Sequence, residues 1–237
     1  MSGWAMKRFW TETGVAPVEG GWSVTLDGRP IRTPAKAPLT LPTRAYAEAC
    51  AAEWAAQEGK VRPETMPLTR SANAAIDKVA VQFDEVAELI AAYGGTDLLC
   101  YRAEAPESLV ARQAAAWDPL LDWAEEALGA RLVPTAGIVH RPQDQAALVR
   151  LAEATRALDP FELAAFHDLV ALSGSLVLGF AAARGARDPE ALWAASRIDE
   201  DWQAEQWGTD EEAAEQAALK KRAFLDAAHI FSLLGRD

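Results

Sequence analysis

A chain of 237 residues, half of them hydrophobic and 24% charged, is long enough to bury a substantial core as one large domain or two modest ones. Its formal net charge of −12 argues against nucleic acid and anionic membrane surfaces, both of which call for clustered Lys and Arg. A partner with basic or apolar surface fits better, and neither nucleic-acid binding nor membrane insertion is expected.

The N-terminal stretch Met1 to Trp10 lacks the apolar core of a secretory signal and is too short for a transit peptide, so a cytoplasmic location is expected. Trp22-Ser-Val-Thr-Leu26 alternates, Asp27-Gly28 is a two-residue hairpin signal, and Arg29 to Thr33 resumes the run, which predicts a β-hairpin. Pro34, Pro38 and Pro42 then punctuate an extended piece around Leu39-Thr-Leu41 and keep the sheet small. Thr43 is placed to cap a helix whose apolar stripe is Tyr46, Ala49, Cys50 and Trp54 and which Gly59 ends. Lys60-Val-Arg62 offers a short strand. Helices are predicted over about 69–81 and 84–93, the second closed by Gly94-Gly95, where Thr96 or Asp97 can cap the next segment. Further helices are predicted over about 107–128, 143–157, 160–184, 188–207 and 210–234. The apolar run Leu169 to Ala183 is shorter than the roughly 20 residues that cross a bilayer and reads as a buried core helix, with Ser175 and Gly179 admitting close approach. The expected fold class is α+β, with a small mixed α/β N-terminal domain built on an antiparallel sheet over 1–80 and an all-helical C-terminal domain over 81–237.

Cys50 and Cys100 lie in apolar stretches and read as buried free thiols. The three histidines, His140, His167 and His229, are isolated; no H-E-x-x-H, P-loop or G-x-S-x-G pattern occurs, so no metal, cofactor or covalent nucleophile is expected. Arg70, Asn73 and Asp77 share one face of an ideal helix, either as a stitch between the two parts of the chain or as a binding network. The densest constellation is Asp199-Glu-Asp-Trp-Gln-Ala-Glu-Gln-Trp-Gly208, four carboxylates and two tryptophans in ten residues. On a continuous helix Ala191, Ala195, Ile198 and Trp202 form an apolar stripe whose next position is Glu205. A carboxylate there needs a partner, a raised pKa or an opening to solvent. A solvated helix face and a contact site are both compatible with this pattern. A third reading is an acid-dependent, glycoside-type hydrolase using Glu200 and Glu205, with Asp201 and Trp202 beside them.

Several stretches in order, Leu26-Asp-Gly-Arg-Pro30 with Arg32-Thr-Pro34, Glu53-Trp54, Met66-Pro-Leu-Thr-Arg70 with Asn73 and Asp77, Thr96 to Arg102, Trp117-Asp-Pro119, Gly174-Ser175 and Asp199 to Gly208, resemble the ATP12 family, assembly chaperones of the F1 part of ATP synthase. The resemblance runs from about Arg8 to Leu234. It implies a non-enzymatic chaperone that holds the unassembled F1 α subunit until a β subunit takes its place, bacterial here and in the mitochondrial matrix for eukaryotic relatives; a monomer is expected. It also implies an essential glutamate in the acidic, tryptophan-bearing motif, carried onto Glu205 first and Glu200 second. The expected client-binding residues are therefore Glu205, Glu200, Trp202, Trp207 and Asp201.

Overall fold

A computed structural model describes residues 7–235, so residues 1–6 of the stretch read for a targeting signal lie outside the described residues. The described chain forms two compact units, one made of 7–83, 160–165 and 229–235, the other of 84–159 and 166–228.

In the first unit, β1 (Thr13–Val18), β2 (Gly21–Leu26) and β3 (Arg29–Pro30) form an antiparallel sheet in that order. Asp27 and Gly28 both take positive φ, +48° and +78°, the backbone that a tight two-residue hairpin needs. The Asp27 carboxylate accepts hydrogen bonds from the backbone N–H groups of Thr11 and Glu12, which hold its pKa below the usual range. Helix α1 (Arg44–Ala55) starts as expected, with the Thr43 oxygen accepting from the Tyr46 N–H while its hydroxyl donates to the Leu233 carbonyl at 2.6 Å. Val24, Leu41, Tyr46 and Cys50 pack with Ile230 and Leu234 in one buried cluster. Helix α2 (Pro67–Ala74) has no cap of its own, and buried Glu53 fills that role by accepting from the N–H groups of Leu68 and Thr69 and from the Thr69 hydroxyl at 2.7–2.8 Å. Lys60 makes only an isolated bridge to Lys7 in place of a short strand.

The second unit is mainly helical. Helix α3 (Phe83–Ala91) leads through 3-10 turns into β4 (Tyr101–Arg102), followed by α4 (Glu107–Leu128) and β5 (Thr135–Ala136), which pairs with β4 in parallel. Helices α5 (Gln145–Arg156), α6 (Pro160–Ser173), α7 (Leu176–Ala183), α8 (Pro189–Ser196), α9 (Ile198–Trp207) and α10 (Glu211–Leu234) complete the described chain. None of its helices is long and apolar enough to cross a membrane.

Two predicted helices are broken. The run 160–184 splits at Gly174, φ +72°, and the Ser175 oxygen caps α7 by accepting from the Leu178 N–H. The break exposes the first N–H groups of α7 to Asp97, a wholly buried carboxylate that accepts from Val177 at 3.1 Å and from Leu99 at 3.0 Å; burial pushes its pKa up. Gly179 leaves room for a side chain rather than a second backbone, since a Cβ there would meet Val170 at 2.6 Å. The run 188–207 splits at Arg197, φ −112°, where the Ala195 carbonyl accepts from the Trp117 indole N–H at 2.8 Å and the Trp193 carbonyl from the Ser196 hydroxyl at 2.7 Å. The apolar stripe drawn from Ala191 to Glu205 on one continuous helix therefore does not exist, and Ala191 is exposed while Ala195 and Ile198 are buried.

Replacing Asp97 by Ala strips two buried N–H groups of their acceptor, and chemical denaturation should show an unfolding free energy lower by about 3 kcal/mol. Burial raises both thiols, Cys100 to about 12 and Cys50 beyond it, so neither should react with a thiol reagent at pH 8 until denaturant is added, when both should.

Candidate functional site

One face of α4 organises the acidic, tryptophan-bearing helix α9. Gln113, only 1% exposed, accepts from the Ala103 N–H through Oε1 at 2.8 Å and donates through Nε2 to Asp199 Oδ1 at 2.6 Å. One turn on, the wholly buried Trp117 bonds Ala195, and Arg102 lies 5.2 Å over its ring while donating to Asp118 Oδ1 and to the Leu99 carbonyl, each at 2.8 Å. One residue before Gln113, Arg112 reaches Glu205 with both terminal nitrogens, each 2.9 Å from a carboxylate oxygen, and its guanidinium sits 5.1 Å from the Trp202 ring centre. The guanidinium holds the Glu205 carboxyl below the usual glutamate range. Of the three ways to accommodate this carboxylate, the protein uses a partner together with solvent, since the Glu205 side chain is half exposed. Glu200 accepts from Arg197 at 2.7 Å. Asp201 is exposed, and among the described residues its carboxylate makes no hydrogen bond or ion pair.

Beside this scaffold lies a groove of about 530 Å³ within the second unit. Its α9 wall is Asp199, Trp202, Gln203, Gln206 and Trp207, positions i, i+3, i+4, i+7 and i+8 of one helix face. The facing wall is the stretch Tyr101 to Pro106, with Leu109 and Gln113 of α4 and with Gly137 and Ile138. At the rim, Trp207 is 74% and Ile138 94% exposed, so the lining of the groove includes two large apolar side chains open to solvent. Trp202 and Trp207 thus line the groove; Glu200, Asp201 and Glu205 lie on other faces of α9.

The Arg70, Asn73 and Asp77 set is arranged differently. Ala75–Val79 is a π turn, which inserts an extra residue and rotates Asp77 off the ideal helix face. Its carboxylate accepts from the Thr33 hydroxyl at 2.6 Å and the Ala35 N–H at 3.1 Å, fixing the loop after the sheet, and neither Arg70 nor Asn73 bonds to it among the described residues. Sequence reasoning passes over Arg112, Gln113 and Ile138, and gives Arg102 no role beyond its place in the Thr96 to Arg102 motif. A signal for Gln113 exists, since it interrupts the otherwise apolar face of Leu109, Trp117, Leu120 and Ala124. Among the described residues no group of three or more His, Cys, Asp or Glu is placed to hold a metal.

Residues 7–125 match the family model of the ATP12 chaperone protein. The crystal structure of Atp12 from Paracoccus denitrificans is 54% identical in sequence and superposes with a TM-score of 0.94 over 97% of this chain and 98% of that one. The chain belongs to the ATP12 chaperone family. It is a chaperone, then, and not an enzyme. The Atu1473 protein of Agrobacterium tumefaciens is 45% identical, with a TM-score of 0.92 over 97% of this chain and 86% of that chain. Protein atp12, mitochondrial, of Schizosaccharomyces pombe is 27% identical over 223 residues, 89% of this chain and 77% of its own length. The ATP12 family model ends inside α4, so it takes in Arg112 and Gln113 but stops short of α9.

Arg112→Ala should return the Glu205 carboxyl upward into the ordinary glutamate range in a ¹³C carboxyl NMR titration. The sign comes from linkage: the pair depresses the folded pKa, so its contribution is present above the unfolded glutamate value and is lost as pH falls through the lower folded value.

Proposed function

We propose that this chaperone serves the assembly of ATP synthase by holding the unassembled α subunit of the F1 sector until a β subunit displaces it, acting as a monomer in the bacterial cytoplasm. Family membership supports the class of function, and α9 supports the place of contact. The observation that carries the reading is that the side chains of Asp201 and Trp207 stand exposed on α9 without any hydrogen bond, ion pair or ring contact among the described residues, whereas the carboxylates on either side, Glu200 and Glu205, are held by arginines. An unassembled subunit exposes apolar surface meant for its neighbour, and covering that surface prevents aggregation.

The residues divide the work. Trp207 and Trp202 supply apolar anchoring. Asp201 is free to pair with a basic side chain of the client and set its orientation. Glu205 acts from behind, clamping Arg112 over the Trp202 ring, and Glu200 steadies the first turn of α9 through Arg197. Asp77 serves the first unit, where it ties the loop after the sheet, and Arg70 and Asn73 lie in the same unit. The hydrolase alternative finds no support in this geometry. Glycoside hydrolysis needs two carboxyl groups facing one cleft, one of them with a raised pKa; Glu200 and Glu205 are engaged by different arginines, line no common groove, and Glu205 is shifted downward.

Co-expression with the F1 α subunit of the same organism should raise soluble α and yield a complex on gel filtration. Asp201→Asn and Trp207→Ala should each weaken that complex by about tenfold with unchanged circular dichroism. Val81→Ala, at a residue 76% exposed in the first unit, should not. No gain in soluble α and no complex would end this reading.

A further inference from the structure

We propose that the groove beside α9 takes an extended segment of the client, about four residues long, in which an apolar side chain neighbours a basic one. The proposal rests on the client-holding role above and specifies what part of the client is read and how. The groove wall runs from Asp199 to Trp207, which at 1.5 Å per helical residue gives a length of about 12 Å. That is too long for one side chain and suits about four residues of extended chain at roughly 3.3 Å each.

The polar groups of the groove are arranged for backbone rather than for a small molecule. Gln203 and Gln206 lie on the same wall, and neither side-chain amide makes a hydrogen bond among the described residues. Each amide offers donors and an acceptor, the complement of the N–H and C=O groups that an extended segment presents. The floor and rim between them are apolar, from Leu109, Trp202, Trp207 and Ile138, and can receive a side chain of the segment.

Charge selects the neighbour of that side chain. Arg102, the one cation among the lining residues, is already committed to Asp118 and to the Leu99 carbonyl. Glu104 on the facing wall is exposed, its carboxylate without a hydrogen bond or ion pair among the described residues, and Asp199 has given only one oxygen to Gln113. The groove therefore presents uncompensated negative charge at the mouth of an apolar slot, which favours Arg or Lys beside the apolar anchor and repels acidic segments.

The test uses overlapping synthetic peptides of about a dozen residues that span the F1 α subunit, assayed by fluorescence anisotropy against the full chain at low salt, alongside gel filtration with intact α. Peptides that pair Leu, Ile, Val or Phe with an adjacent Arg or Lys should bind. Glu104→Lys, Ile138→Asp and the double variant Gln203→Ala with Gln206→Ala should each weaken them about tenfold. Arg44→Ala, on the exposed face of α1, should leave binding unchanged, and circular dichroism keeps misfolding separate from loss of binding. Binding of intact α with no peptide captured, or peptide binding insensitive to the groove variants, would overturn the segment proposal and leave the client-holding role standing. Failure of intact α to bind would overturn both.

Discussion

The buried amide of Gln113 is the interaction on which the site depends. It spends its oxygen on the Ala103 N–H and its nitrogen on Asp199, so one side chain of α4 fixes both walls of the groove at once. A buried amide with both ends satisfied favours folding by only about 1 kcal/mol per hydrogen bond, yet leaving either partner unpaired costs more than the bond returns. The geometry is therefore held by the penalty for breaking it. Trp117, one helical turn away, repeats the device by tying α4 to the last turn of α8, just before α9 begins.

The charges of α9 fall into two classes that composition alone blends together. Arg112 with Glu205 and Arg197 with Glu200 are half-exposed ion pairs, each of a kind that contributes about 0–1 kcal/mol, too little to justify them as stabilisers. Their effect is positional. Arg112 spans from Glu205 to the face of Trp202 and so limits the orientations open to that indole. Asp201 is bonded to neither arginine, although the Arg112 guanidinium attracts it electrostatically, and its side chain is exposed. A surface built in this way combines charges paired within the protein with a few groups left without a bonded partner among the described residues.

How much of this could be read in the sequence depended on how local the cause was. Asp27-Gly28, the Thr43 cap and the extent of α4 come from neighbours within a few residues, and the structure places all three where the pattern puts them. The parallel ladder of β4 with β5 leaves no alternation to detect, because each strand has only two residues and its partner is distant along the chain. Gly174 offers a local signal inside a run that the pattern reads as one continuous helix, whereas at Arg197 the contact beside the break, Trp117 on a carbonyl of α8, comes from far away in sequence. Glu205 was visibly out of place on the assumed stripe; its partner, 93 residues earlier, could not be found by periodicity. The family resemblance closed part of this distance by recognising an ordered series of motifs, although no motif in that series included Arg112 or Gln113.

The weaving of the first unit has a consequence for how the protein is made. Its sheet and α1 lie at the start of the chain, but its buried cluster includes Ile230 and Leu234, and the hydroxyl of Thr43 is bonded to the carbonyl of Leu233. Translation proceeds from the N-terminus, and domains commonly fold in the order in which they emerge. Here the sheet and α1 must wait for α10, made far later in the chain, before their core can close, so apolar surface stays uncovered while the residues between are made. A member of a chaperone family thus itself passes through a stage in which its own apolar surface is uncovered.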